Sequence, residues 1–147
     1  MNIKDTTILL VEDNPDDVFL TLRALKKNNV SNQVVVVSDG VEALDYLFCE
    51  NRYAGRSPCD LPQLVLLDLR LPKMDGMDVL RRIRADERTH ALPVAILTGS
   101  DEEQKLIEGY KSGANVFMRK PVDFEKFVEA VPQLGLSWVV LNAQPNL

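Results

Sequence analysis

Gln63-Leu64-Val65-Leu66-Leu67-Asp68-Leu69-Arg70-Leu71-Pro72-Lys73-Met74-Asp75-Gly76 is the stretch that decides the fold. It opens with an unbroken apolar run, sets a carboxylate near the end of that run, and is interrupted by Pro72. It restarts at Asp75, a good helix N-cap, after which Val79, Leu80 and Ile83 share one helical face. An apolar run without polar alternation reads as a strand covered on both faces. The stretch therefore reads as buried strand, acidic exit, loop and helix.

The same alternation extends in both directions. Further short apolar runs cover residues 7–11, 33–37, 93–98 and 114–118, beside 63–69. Each is followed by a helix signal. Asn14 caps a first helix with Pro15 in its first turn, and Val18, Leu22 and Leu25 fall on one face. Asp39 opens a second, with Glu42 placed three residues on as a capping-box partner. Asp101 opens a fourth helix, through Tyr110. Asp123 opens a fifth, in which Phe124, Phe127, Val128 and Val131 recur at helical spacing. Five strands each followed by a helix predict a doubly wound α/β domain: a five-stranded parallel sheet, flavodoxin-like in order 2-1-3-4-5, with helices on both faces. The long segment from Glu50 to Pro62, holding Gly55, Pro58 and Pro62, reads as a surface insertion.

Length and composition agree. The chain has 147 residues, 46% hydrophobic and 27% charged, which suits one compact domain with its own core. Its net charge of −5 argues against a phosphate-backbone footprint, so no nucleic-acid partner is expected. No apolar run approaches the ~18 residues of a spanning helix, and the N-terminus has no secretory core, so no membrane partner is expected and the location expected is cytoplasmic. Cys49 and Cys59 form no C-x-x-C pair and no zinc cluster, and read as reduced thiols. His90, in a polar stretch, reads as surface.

Ligands of open parallel sheets collect at the carboxyl ends of the strands. The chemistry of this chain is written there: Glu12-Asp13 after the first run, Asp68 at the third, Thr98-Gly99-Ser100 at the fourth, Arg119-Lys120-Pro121 at the fifth. Crowded carboxylates repel unless a cation intervenes. Mg²⁺ takes oxygen ligands and commonly binds through one or two carboxylates plus phosphate. Asp13 and Asp68 are the direct candidates, Glu12 acts through water, and a backbone carbonyl near Arg70 completes the protein's share. A carboxylate is also a nucleophile toward phosphorus. With the metal on one side, Lys120 on the other and the Thr98 hydroxyl on a third oxygen, Asp68 is the acceptor. Singly, each residue reads as a strand terminus, a cap or a turn; all of them at strand exits of one fold outweigh those readings.

Leu10-Val11-Glu12-Asp13-Asn14, Ser38-Asp39-Gly40-Val41-Glu42-Ala43-Leu44, Leu67-Asp68 through Asp75-Gly76, Leu97-Thr98-Gly99-Ser100, Gly113-Ala114 and Lys120-Pro121, in this order, resemble the receiver domain of two-component response regulators. The resemblance runs from about Thr7 to Val131. It implies a histidine kinase as phosphodonor, Asp68 as acceptor, and Asp13, Asp68 and the Arg70 carbonyl as Mg²⁺ ligands. It further implies Thr98 and Lys120 as phosphoryl contacts, a cis bond between Lys120 and Pro121, and Phe117 as a ring that turns inward when phosphate draws Thr98 in. The insertion and the tail Leu136-Ser137-Trp138-Val139-Val140-Leu141-Asn142 are similar to the small stand-alone regulators that partner bacterial phytochromes.

The expected organisation is a receiver domain over residues 1–131 and a helical extension and tail over 132–147, with Pro132 ending or kinking the fifth helix. Val131, Leu134, Trp138 and Leu141 lie on one helical face, which predicts a homodimer interface; the same stripe folded back onto its own domain is the competing reading. With no effector module expected after the tail, output passes through protein contacts. The chain is expected to be a phosphoacceptor and not an enzyme. The alternatives are a pseudo-receiver that acts without phosphorylation, an aspartyl phosphohydrolase, disfavoured because Arg70 stands where a second acid is needed, and a flavodoxin-like carrier, disfavoured by the acids after the first strand.

Overall fold

A computed structural model describes residues 7–27, 32–57, 61–99 and 116–120. The elements run β1 (Ile8–Val11), α1 (Pro15–Lys27), β2 (Val34–Val37), α2 (Gly40–Phe48), a short 3-10 helix (Asn51–Tyr53), β3 (Leu64–Asp68), α3 (Gly76–Ala85), β4 (Val94–Thr98) and β5 (Val116–Arg119). All strand pairs are parallel and the sheet order is β2-β1-β3-β4-β5, as the sequence predicts. The expected fourth and fifth helices lie outside the described residues, as do Cys59, Pro121, Pro132 and the stripe Val131, Leu134, Trp138 and Leu141.

The three inner strands hold the fold together. β1, β3 and β4 are buried at every position. Burying one aliphatic side chain contributes roughly 1.5–3 kcal/mol, so Ile8, Leu9, Leu10, Leu64, Leu66, Leu67, Ile96 and Leu97, all without exposed surface, outweigh any local preference of the loops. Alternate residues feed two cores. Leu9, Val11, Val65, Leu67 and Ile96 pack with Ala43, Leu47, Val79, Leu80 and Ile83 of α2 and α3. Ile8, Leu10, Leu64, Leu66 and Leu97 pack on the other face with Leu25, Val18 and Leu22 of α1. The edge strands depart from the expectation that every run is covered on both faces. Val36 of β2 is 37% exposed, and β5 ends on exposed Arg119. An edge strand has a neighbour on one side only, and an all-valine run such as β2 satisfies strand propensity without being enclosed.

The helix starts are where the sequence sets them. Asn14 Oδ1 accepts from the backbone N–H of Asp16 (2.9 Å) and Asp17 (3.4 Å). Asp39 accepts from Glu42 N–H at 2.7 Å, and Asp75 from Asp78 N–H at 2.9 Å. The capping box at α2 closes one residue early: Glu42 Oε1 accepts from Ser38 N–H at 3.0 Å, not from Asp39. The other Glu42 oxygen accepts from Tyr53 Oη at 2.7 Å and Arg52 at 2.8 Å. Arg56 lies 3.6 Å over the Tyr46 ring and bonds the Tyr46 carbonyl. The described part of the insertion is thus strapped along α2.

Candidate functional site

The order in which strands are added reverses at β1, since β2 lies on one side of β1 and all later strands on the other. That reversal opens a crevice at the strands' carboxyl ends. Register decides what stands there. Val11 pairs with Leu67, Asp68 with Leu97, and Thr98 with Arg119. Glu12 and Asp68 therefore stand at one level, Thr98 closes β4 one residue beyond the partner of Asp68, and Lys120 follows the partner of Thr98.

Three carboxylates meet in the crevice. Oxygens of Glu12, Asp13 and Asp68 lie within 4.8 Å of one another. The side chains of Glu12 and Asp68 are only 1% and 6% exposed, while Asp13 is open to solvent. Burial, and then the neighbouring Asp68, push the Glu12 carboxyl up from 4.5 to about 7 even though Lys120 pulls the other way. Burial is the larger cause and the like charge of Asp68 the smaller, and the one ammonium nearby does not offset the two together. Hard oxygen donors, surplus negative charge and one ligand facing water are the donor set of a divalent cation such as Mg²⁺, so the residues fit that ion. The exposed Arg70 and Asp13 share the rim of an open cavity of about 510 Å³ with Asp75 and Met77.

Opposite stands Lys120. Its Nζ is 3.1 Å from Glu12 Oε1, 2.9 Å from Asp17 Oδ2 and 3.3 Å from Asp68 Oδ1. Burial by itself lowers the pKa of this ammonium, but the hydrogen bonds to Asp17 and Glu12 and the charge of Asp68 outweigh it and raise the pKa well above the ordinary lysine value. The backbone N–H of Lys120 bonds the Thr98 carbonyl at 2.8 Å, which fixes the end of β5 against β4. Thr98 has no exposed surface, and its hydroxyl donates to the Met118 carbonyl at 3.4 Å, a long bond. Phe117 is half-buried against the α2/α3 core.

The loop after Asp68 is held tightly. Gly76 N–H bonds the Leu69 carbonyl at 2.8 Å, and Met74 N–H bonds the Pro72 carbonyl at 2.7 Å across Lys73, whose φ is 67°. That three-residue turn is a strained one for a side chain to adopt. Lys73 Nζ reaches Asp39 Oδ2 at 3.4 Å and ties the loop to the start of α2.

The structure brings Glu12, Asp13, Asp68 and Lys120 together, with Thr98 beside Lys120 and Arg70 at the rim. Asp17 is the residue that sequence reasoning missed. It stands in the first turn of α1, two residues after Pro15, where the helix start turns its carboxylate toward Lys120. Its role is masked in the sequence because acids are favourable at any helix N-terminus.

Comparison with known proteins follows the same line. The family described as response regulator receiver domain matches residues 8–132. The probable methanogenesis regulatory protein FilR2 of Methanothrix harundinacea is 40% identical, covering 95% of this chain and 87% of that protein. Response regulator Rcp1 of Synechocystis sp. is 34% identical, covering 92% of each. Among solved structures, the bacteriophytochrome response regulator AtBRR superposes with a TM-score of 0.87 at 47% identity, over 97% of this chain and 99% of that one. The phosphorylated cyanobacterial phytochrome response regulator RcpA gives 0.71 at 36%, over 93% and 94%. The Mn²⁺-bound form of Rcp1 gives 0.71 at 29%, over 97% and 99%.

Proposed function

The chain belongs to the response regulator receiver domain family, and from that premise we propose that Asp68 takes a phosphoryl group from a phosphohistidine of a partner kinase. One Asp68 carboxylate oxygen attacks phosphorus, the P–N bond breaks with its electron pair going to the imidazole nitrogen, and an acyl phosphate forms on Asp68. The observation that carries this is the buried Asp68 carboxylate, 3.3 Å from the Lys120 ammonium and clustered with Glu12 and Asp13. Lys120 neutralises phosphoryl oxygens as they approach. Thr98, whose hydroxyl is held only by a long bond, turns to a phosphoryl oxygen, and Phe117 follows into the space released. Asp13, Asp68 and the Arg70 carbonyl would hold Mg²⁺ directly and Glu12 through water, and the ion would supply the charge neutralisation that phosphoryl transfer between anions needs.

The donor is a phytochrome-type histidine kinase; the likeness to AtBRR and RcpA supports this. The chain acts in the cytoplasm as a stoichiometric acceptor, not as an enzyme turning over phosphoesters. Among the described residues no helix is long and apolar enough to cross a membrane, and the acidic net charge of −5 speaks against nucleic acid. Residues 1–131 form the receiver, and 132–147 extend it into a homodimer through Val131, Leu134, Trp138 and Leu141. A native chain that sediments only as monomer at high concentration overturns the dimer.

Incubation with acetyl phosphate and Mg²⁺ tests the chemistry. The expected result is a mass gain of one phosphoryl group on the parent, lost in Asp68→Asn and on chelation. A folded parent that gains no mass is a phosphorylation-independent interaction module instead.

A further inference from the structure

We propose that Asp17 is a positioning residue for Lys120: it draws the ammonium toward α1 and so weakens the hold of Lys120 on a phosphoryl group carried by Asp68. The inference rests on Asp68 being the acceptor. An ammonium has three N–H donors. Lys120 gives hydrogen bonds to Asp17 at 2.9 Å and to Glu12 at 3.1 Å, both shorter than its 3.3 Å approach to Asp68. Its two closest partners are thus on the β1–α1 side of the crevice, and its shortest contact is to Asp17. Glu12 belongs to the acidic cluster that fits a divalent cation; Asp17 lies outside that cluster. A cation neutralising the cluster therefore leaves the Asp17 contact in place.

Asp17 is also well anchored for this work. It stands in the first turn of a thirteen-residue helix whose cap, Asn14, accepts from its backbone N–H at 3.4 Å. Its side chain is 30% exposed, against 17% for Lys120. The pair is screened on one side, which keeps it of moderate strength and able to yield when a phosphoryl oxygen competes for the same donor. Two anions thus share one ammonium, and the geometry sets the ratio.

The test is the affinity for beryllofluoride, a mimic of the aspartyl-bound phosphoryl group, titrated into the full chain at saturating Mg²⁺ and followed by ¹⁹F NMR. Asp17→Asn keeps shape and helix start but removes the charge. It is expected to bind beryllofluoride more than twofold and up to about fivefold more tightly than the parent, with Asp17→Glu returning toward the parent. A role in mere folding predicts weaker binding and a lower melting temperature instead. Should Asp17→Asn fail to fold, Asp17→Ser is read in the same way. Affinity within twofold of the parent, or below it, overturns the inference while leaving Asp68 as acceptor. A parent that binds no beryllofluoride at any Mg²⁺ concentration overturns the acceptor reading, and this inference falls with it.

Discussion

At the scale of single residues, Lys120 balances carboxylates that burial makes costly. With Lys120→Met, the side chains of Glu12 and Asp68, 1% and 6% exposed, lose their counter-charge. Breaking a buried pair leaves an uncompensated charge, and the expected loss is on the order of 3 kcal/mol of unfolding free energy. The loss depends on pH in a definite direction. The Glu12 carboxyl is already raised from 4.5 to about 7 in the folded protein, so its favourable share is complete below pH 4.5 and disappears as pH climbs through 7. Lys120 opposes that rise, so removing it moves the folded pKa higher still. Urea unfolding in chelator should therefore show a larger deficit for Lys120→Met at about pH 8 than at about pH 6, since at the lower pH the proton replaces the ammonium. An equal deficit at both would mean that the lysine acts through packing alone. Of this ion network the sequence showed Glu12, Asp13, Asp68 and Lys120, because each stands at a strand exit. It hid Asp17, because an acid in a helix's first turn already has an ordinary reason to be there.

At the scale of elements, the placement of Asp68 depends on how closely α3 follows β3. A Cβ on Gly76 would stand 2.3 Å from the Asp68 carbonyl oxygen and 2.9 Å from Leu69 Cα, both backbone atoms that cannot swing aside. Alanine is the better helix former by about 1 kcal/mol, yet forcing extra volume against fixed atoms costs ~1–3 kcal/mol, so the clash wins. Gly76→Ala should melt lower than the parent and take up phosphoryl from acetyl phosphate more slowly, because the strain falls on the acceptor's own peptide. Gly55 is the control: nothing lies within 4 Å of a Cβ there, and Gly55→Ala should leave both readouts unchanged. A harmless Gly76→Ala would show that α3 does not fix the acceptor. The sequence placed the starts of α1, α2 and α3 at Asn14, Asp39 and Asp75 because capping is local chemistry. It overstated the cover on β2 because burial of an edge strand is decided by neighbours far along the chain, which a run of valines does not report. The close approach at Gly76 was invisible for the same reason.

At the scale of the whole molecule, the fold and the site draw on one free energy. The sheet brings Glu12, Asp13 and Asp68 from two strand exits to within 4.8 Å, a concentration of like charge that the unfolded chain does not have. Folding therefore works against that repulsion, and a cation that binds only the folded arrangement returns the energy. A ligand at a hundred times its dissociation constant stabilises by about 2.7 kcal/mol. For a chain of this size each kcal/mol raises the melting temperature by roughly 2–4 °C, so saturating Mg²⁺ should raise it by roughly 5–11 °C over the chelated protein. Asp13→Asn removes one exposed ligand without opening the core, and the Mg²⁺-dependent part of the shift should shrink while the chelated melting temperature holds or rises, as repulsion is relieved. The same measurement separates the site from general charge effects, because a nonspecific ionic-strength effect on a chain of net charge −5 would be matched by an equal ionic strength of Na⁺. A melting temperature that responds alike to Na⁺ and Mg²⁺, or an Asp13→Asn variant that keeps the full Mg²⁺ shift, would mean that the three carboxylates converge for the sake of the fold and not to hold an ion.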